Sequence, residues 1–306
     1  MTMAALYTGY GIYLQTDLGG PTLIGGISKQ SIKSGVKAGH EVSAGSYYPM
    51  IATIHDQHPI ADFTTRAIEV LLGRVLPPVV ALDGIGCECY QVQKAESVID
   101  SGSVHRKWAI ASGVVVPQKL TCQQGNSAEM SCQVLSRSPS GSAPLAPTET
   151  VALPSTLTDA SRFSMGTMTL GGITIDGKTS LEIDFGVKAE QVGVDGAVWA
   201  QWIDVADYLA KITIKSVNTA LVAAAGIPLL GKAGTHANTV FYLRKRDGAG
   251  FAAGGVHIKV TADGLAYADD IFDGSGNDKG ECSVVLLCRY DGVNAPIDFA
   301  LSQSLP

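Results

Sequence analysis

Charge is what this chain has least of. Only 16% of its 306 residues are Asp, Glu, Lys or Arg, against 46% hydrophobic. That is too thin a coat for two isolated domains in water, so part of the apolar surface is expected to face other subunits. The net charge is −6 with no long basic tract, which excludes a surface that grips nucleic acid through its phosphates. Residues 1–150 hold 10 basic and 11 acidic side chains and residues 151–306 hold 12 and 17, so five of the six excess negative charges lie in the second half. The first lysine is Lys29, which leaves no basic start for a signal peptide, and the longest apolar run, Ala220 to Leu230, contains Gly226 and Pro228. Neither secretion nor a membrane span is expected. None of the six cysteines, Cys87, Cys89, Cys122, Cys132, Cys282 and Cys288, makes a C-x-x-C pair, and reduced thiols in a cytoplasmic protein are expected.

Chemical motifs are equally scarce. There is no G-x-S-x-G and no P-loop. The run Gly248 to Gly254 fails the dinucleotide spacing and follows a basic strand. Asp273-Gly274-Ser275-Gly276-Asn277-Asp278 imitates the start of a calcium loop, but its sixth residue is Asp where the sharp turn needs Gly; a hairpin turn is expected. His55-Asp56-Gln57-His58 would need a helix to bring its histidines together, and it lies between strands just before Pro59. Cys87 and Cys89 share a strand face with no second pair nearby, which reads as core. His105 and His257 have no acid or nucleophile at matching positions and read as structural. Trp199 and Trp202 read as core or subunit interface, and Arg244-Lys245-Arg246 as a solvated hairpin tip. No catalytic residue, metal or cofactor is expected, and the chain reads as non-enzymatic.

What is present is a repeat. Gly35-Val36-Lys37-Ala38 recurs as Gly186-Val187-Lys188-Ala189, a shift of 151. The same shift, with slips of one, carries Tyr90 to Tyr242, His105 to His257, Gly113 to Gly264, Arg137 to Arg289 and Ala143-Pro144 to Ala295-Pro296. An offset held over most of the chain, with the order of elements kept, indicates a tandem duplication of one domain of about 140 residues. The expected organisation is residues 1–137 as the first domain, 138–164 as a Pro/Ser-rich linker and 165–306 as the second domain.

Hydrophobic periodicity predicts strands through most of each half and one short helix, at Arg66 to Leu72 and again at Val217 to Ala225. Gly35 to Ser46 reads as a loop or long flexible hairpin. Separate strands are predicted at Val79 to Leu82 and Cys87 to Gln93, one strand at His105 to Pro117, and two at Val256 to Ala262 and Leu265 to Phe272. The fold class is therefore β-rich α+β: two tandem antiparallel barrels or sandwiches, each with one short packed helix.

The order "strand, GVKA loop, strand, strand, short helix, four strands", written twice, resembles that of phage tail tube proteins. The resemblance is carried by the loop Gly35 to Ser46 before Tyr47-Tyr48-Pro49-Met50-Ile51, by its copy Gly186 to Gly196 before Val198-Trp199-Ala200-Gln201-Trp202, and by the strand-into-helix segments Phe63 to Leu72 and Ile214 to Ala225. That family shares its fold with the type VI secretion tube protein and with baseplate hub domains. Single-domain members make rings of six, so the resemblance implies three two-domain subunits in a threefold ring with pseudo-sixfold walls. It further implies stacking of rings into a tube, assembly in the host cytoplasm, residence in the virion tail, contacts with other tail proteins and passage of DNA through the lumen. The loop residues Gly35, Val36, Lys37 and Ala38, with Gly186, Val187, Lys188 and Ala189, would make contacts between subunits or rings.

Ser180 to Phe185 alternates, putting Leu181, Ile183 and Phe185 on one face and Glu182 and Asp184 on the other. Their counterparts in the first half are Ser31 and Lys33. These four are candidate channel-lining residues, where an acidic bias would let DNA slide instead of binding; an ordinary solvated face is the alternative. Other readings stay open at this stage: a tail hub or tail-completion protein that forms one ring, or a duplicated carbohydrate-binding or adhesion module.

Overall fold

A computed structural model of the chain describes residues 6–42, 44, 47–49, 51–95, 98–154, 157, 161–224, 234–248, 250–275 and 279–306. Residues 1–5, part of the stretch before Tyr47, Ala225 of the predicted second helix and residues 276–278 of the predicted Asp273 to Asp278 turn lie outside the described residues.

Alternation decides most of the local structure. In Ile60–Thr65 (IADFTT) Ala61, Phe63 and Thr65 are buried and their neighbours are not, the pattern of a strand with one face on a core. The first half contains β1 (Leu6–Thr16), β2 (Gly19–Ile24), β3 (Ile27–Lys33), β4 (Val36–Glu41), β5 (Ile51–Gln57), β6 (Ile60–Thr65), α1 (Ile68–Leu72), β7 (Val80–Ala95), β8 (Val98–Ile99), β9 (His105–Ile110), β10 (Gly113–Gln123), β11 (Glu129–Ser136) and β12 (Leu145–Val151). The second contains β13 (Phe163–Leu170), β14 (Ile173–Thr174), β15 (Lys178–Asp184), β16 (Val187–Val192), β17 (Trp202–Tyr208), β18 (Lys211–Ser216), α2 (Ala220–Ala224), β19 (Gly234–Asp247), β20 (Gly250–Phe251), β21 (His257–Asp273), β22 (Glu281–Cys288) and β23 (Ile297–Gln303). Strand makes up 64% of the chain and helix 3%, so the molecule is β-rich α+β.

The two halves run through the same elements in the same order, with β21 standing for β9 and β10 together. The pairing of β3 with β6 returns as β15 with β18, β6 with β11 as β18 with β22, β1 with β7 as β13 with β19, and β4 with β5 as β16 with β17. Local chemistry repeats as well. Thr65 Oγ1 accepts the Ala67 N–H at 3.0 Å and donates to the Gly25 carbonyl at 2.6 Å. Ser216 Oγ accepts the Asn218 N–H and donates to the Asp176 carbonyl at the same two distances. Each hydroxyl turns a strand into a helix too short to stand alone, and α1 is held by burial of Ile68, Leu71 and Leu72.

Gly35 to Ser46, read as a loop or long hairpin, opens as a hairpin: Val36–Glu41 pairs with β5 in an arm, and Val187–Val192 pairs with β17 in its copy. Gly35 (φ 62°) and Gly186 (φ 58°) turn the chain into these arms, and a Cβ there would stand 1.9 Å from the His58 carbonyl oxygen and 2.1 Å from that of Leu209. The stretch 138–164, expected as a linker, contains β12, paired among the described residues with β9 alone; an edge strand tolerates Pro147 because the missing N–H has no partner to lose. The strands predicted at Val79 to Leu82 and Cys87 to Gln93 are one strand, β7, in which Gly84 and Gly86 at φ 52° and 69° form bulges instead of a turn. Conversely, the single strand predicted at His105 to Pro117 is divided into β9 and β10, while β21 runs unbroken through the two strands predicted for its copy.

One core runs through both halves, from Ile12, Phe63 and Leu71 to Phe163, Phe185 and Phe241. Phe185, fully buried, lies where the halves meet, with its ring centroid 6.0 Å from that of Phe299. Phe185→Ala is expected to destabilise the chain by about 3–5 kcal/mol, read as a lower urea midpoint with an unchanged slope.

Candidate functional site

The halves are joined by a made ladder. β10 pairs antiparallel with β15, Lys119 opposite Asp184, Leu120 opposite Ile183, Thr121 opposite Glu182, Cys122 opposite Leu181 and Gln123 opposite Ser180. Two further backbone bonds extend it, Phe185 N–H to the Gln118 carbonyl (3.0 Å) and Gln124 N–H to that of Thr179 (2.8 Å). Leu120, Ile183, Cys122 and Leu181 point into the core and are at most 3% exposed. On the opposite face Lys119 Nζ lies 2.8 Å from Glu182 and 3.4 Å from Asp184, and its hydrogen bond to Glu182 holds the ammonium above the ordinary lysine range.

The repeat makes this joint a template for two other edges. Register fixes the correspondence: Lys119 lies opposite Ser131 after a bulge following Pro117, and Asp270 lies opposite Ser283 after a bulge following Ala268. Asp270 and Ile271 thus stand where Lys119 and Leu120 stand in the first half, and after a second bulge between Asp270 and Asp273 it is Asp273 that lies opposite Glu281 as Thr121 lies opposite Glu129. By the same logic Lys29 to Lys33 stand where Ser180 to Asp184 do. Among the described residues neither the outer edge of β3 nor that of the last turn of β21 has a strand partner. A side chain buried in the made joint is accordingly open here: Leu120 is 0% exposed and its equivalent Ile271 46%.

A second contact follows the same rule. The β16–β17 arm folds back on the first half, with Gln191 Nε2 donating to the Pro59 and Ser136 carbonyls (3.2 and 2.6 Å), Gln57 N–H to the Val198 carbonyl (2.8 Å) and Ser138 N–H to that of Ala200 (2.7 Å). This leaves Leu135 and Ser138 buried, whereas their equivalents Leu287 and Tyr290 are exposed. Meanwhile the β4–β5 arm presents Val36, Val42, Tyr47, Tyr48, Ile51 and Ile54 to solvent.

The sequence-predicted residues fall as follows. Lys37 and Lys188 lie on the exposed arms, paired with Asp56 (3.5 Å) and Asp207 (3.1 Å), and Val36, Ala38, Val187 and Ala189 are ladder residues there. Ser31, Lys33, Glu182 and Asp184 do share one sheet face, the one away from the core. That face is not acidic in bias. Lys119 sits between Glu182 and Asp184, Lys33 is 2.8 Å from Asp62, and Lys211 and Lys215 are also on it.

The rejected motifs have ordinary surroundings. His55 faces Thr53. His105 and His257, each 2% exposed, accept backbone N–H groups of Gln93 and Lys245 at 3.1 Å through Nδ1. The six cysteines are unbridged, and burial pushes the Cys122 thiol up to about 11 and that of Cys288 to about 12. Trp199 bridges to Gln57 in the contact between halves, while Trp202 is exposed. Arg244-Lys245-Arg246 lies within β19 rather than at a tip: Arg244 covers the Phe251 ring at 3.8 Å and Lys245 reaches Glu69 of α1 at 3.0 Å.

Beside Tyr290, Asp291 accepts hydrogen bonds from the Asn294 side chain and from the backbone N–H groups of Asn294 and Val293, which lower its pKa from 3.8 to about 2. The folded value is the lower one, so this contribution to loop order is complete above pH 3.8 and is lost as pH falls through about 2. A carbon-detected NMR titration should place the Asp291 midpoint near 2, and Asp291→Ala should loosen only residues 291–294.

No family model matches the chain, and no curated protein matches it.

Proposed function

We propose that the chain is a structural building block of a phage tail tube, three copies closing head to tail into a ring with pseudo-sixfold walls, the rings stacking around a channel for DNA. The observation that carries this reading is the pair of open edges, β3 and the end of β21, which are the counterparts of the two strands already joined as β15 and β10. A surface that fits its own repeat head to tail adds copies until the rotation closes. Exposed edges with apolar side chains are a liability in a lone molecule and are satisfied in a ring.

Each chain offers the consecutive strands β3, β6, β11, β10, β15, β18, β22 and β21 to such a wall. With three chains they would close one barrel whose inner face carries Ser31, Lys33, Glu182 and Asp184. On that face lysines and carboxylates neutralise one another, which leaves DNA without a run of free cations to hold it. The exposed arms β4–β5 and β16–β17 would then contact neighbouring subunits and adjacent rings, and the thin surface charge is that of a protein whose faces are mostly covered. No catalytic step, metal or cofactor enters this role.

Negative-stain microscopy with light scattering on the purified protein tests it. Tubes of stacked rings are the expected result, discrete three-copy rings would indicate a hub, and a monomer at all concentrations would overturn the assembly reading.

A further inference from the structure

The joint inside the chain and the joint offered between chains carry opposite charge. Inside, the cation is on the β10 side (Lys119) and the anions on the β15 side (Glu182, Asp184). At the open edges the anions are on β21 (Asp269, Asp270, Asp273) and the cations on β3 (Lys29, Lys33).

We propose that this reversal is a pairing code that makes the β21 edge recognise the β3 edge of a second copy of this chain and reject every other edge of the repeat. The proposal rests on the assembly reading above and adds to it which strand may meet which.

Carrying the β10–β15 register to the open edges puts Asp270 opposite Lys33, Ile271 opposite Ile32 and, beyond the second bulge of β21, Asp273 opposite Ser31. Each pairing is compatible. Asp270 meets an ammonium that among the described residues pairs with Asp62 alone, whereas Lys119 pairs with two carboxylates. Ile271 and Ile32 take the core-facing places of Leu120 and Ile183.

The wrong joints fail by the same alignment. A β21 edge that displaced β10 from β15 would set Asp270 against Asp184 and Glu182, and a β10 edge that invaded β3 would set Lys119 against Lys33. Like charges placed directly opposite are destabilising, so exchange of equivalent strands between copies, the standing hazard of a duplicated chain, is suppressed.

The test is a charge swap on the full chain, with assembly read by analytical ultracentrifugation and microscopy and folding by circular dichroism. Asp270→Lys and Lys33→Asp should each weaken association about a hundredfold while the lone subunit keeps its spectrum. The double variant should recover association to within about tenfold of the unaltered chain. Lys33→Asp also faces Asp62, and the double variant keeps that contact, so a fold defect would persist in it and only a lost pairing would be rescued. Mixing the two single variants should yield open or even-numbered species without three-copy rings, because each edge then fits only the other variant and an odd ring cannot alternate. If the unaltered chain assembles and the single variants assemble equally well, or the mixture closes three-copy rings, the code is wrong and the assembly reading stands. An unaltered chain that never assembles overturns both.

Discussion

Ile271→Lys is expected to leave the subunit folded and to stop it associating. In the lone chain this side chain is 46% exposed on an unpaired edge, where a lysine head group reaches water at little cost. In the proposed joint the residue takes the place of Leu120, which is 0% exposed, and its neighbour there offers Ile32 and no carboxylate at that position. An uncompensated charge in such a place costs about 3–5 kcal/mol, which corresponds to at least a hundredfold loss of affinity. Sedimentation should show subunits at concentrations where the unaltered protein assembles, with the melting temperature of the unassembled chain unchanged. A variant that assembles normally would show that the β21 edge is not where copies meet.

The equivalent change in the other half should behave in the opposite way. Leu120→Lys puts the same charge at the same point of the repeat, but there the joint is already made and the side chain lies against Ile183 and Met130 across its two neighbouring strands. The cost, again about 3–5 kcal/mol, is then taken from folding. Domains generally have only about 5–15 kcal/mol to lose. Urea denaturation should show a large fall in the midpoint, or no folded protein at all. Two substitutions at matched positions, one that affects only association and the other only folding, would separate surface from core more cleanly than either does alone.

The repeat was legible because its offset survives in the letters, and the β-rich class because strands such as Ile60–Thr65 and Lys178–Asp184 alternate against a core on one face. The arms were only half legible for the converse reason. β4 is exposed at nearly every residue, so no burial pattern chooses between the loop and the hairpin that its Gly and Lys allow. Proline misled at β12, since an edge strand loses nothing by Pro147, and glycine misled at β7, where Gly84 and Gly86 bend a strand that continues. The alternation at Ser180 to Phe185 correctly placed Glu182 and Asp184 on one face. What it could not supply was Lys119, 63 residues from Glu182 in the sequence, because a single strand does not name the neighbour with which it pairs. The acidic bias inferred for that face fails on this one side chain together with Lys211 and Lys215.

The ladder between β10 and β15 has a kinetic consequence. Because both strands belong to one polypeptide, they meet at an effective concentration on the order of millimolar however dilute the protein is. Half of the contacts around any closed assembly of these chains would therefore form independently of dilution. Growth and exchange would be governed by the remaining half, and a preparation diluted until it falls apart should release whole two-lobed molecules, never single lobes.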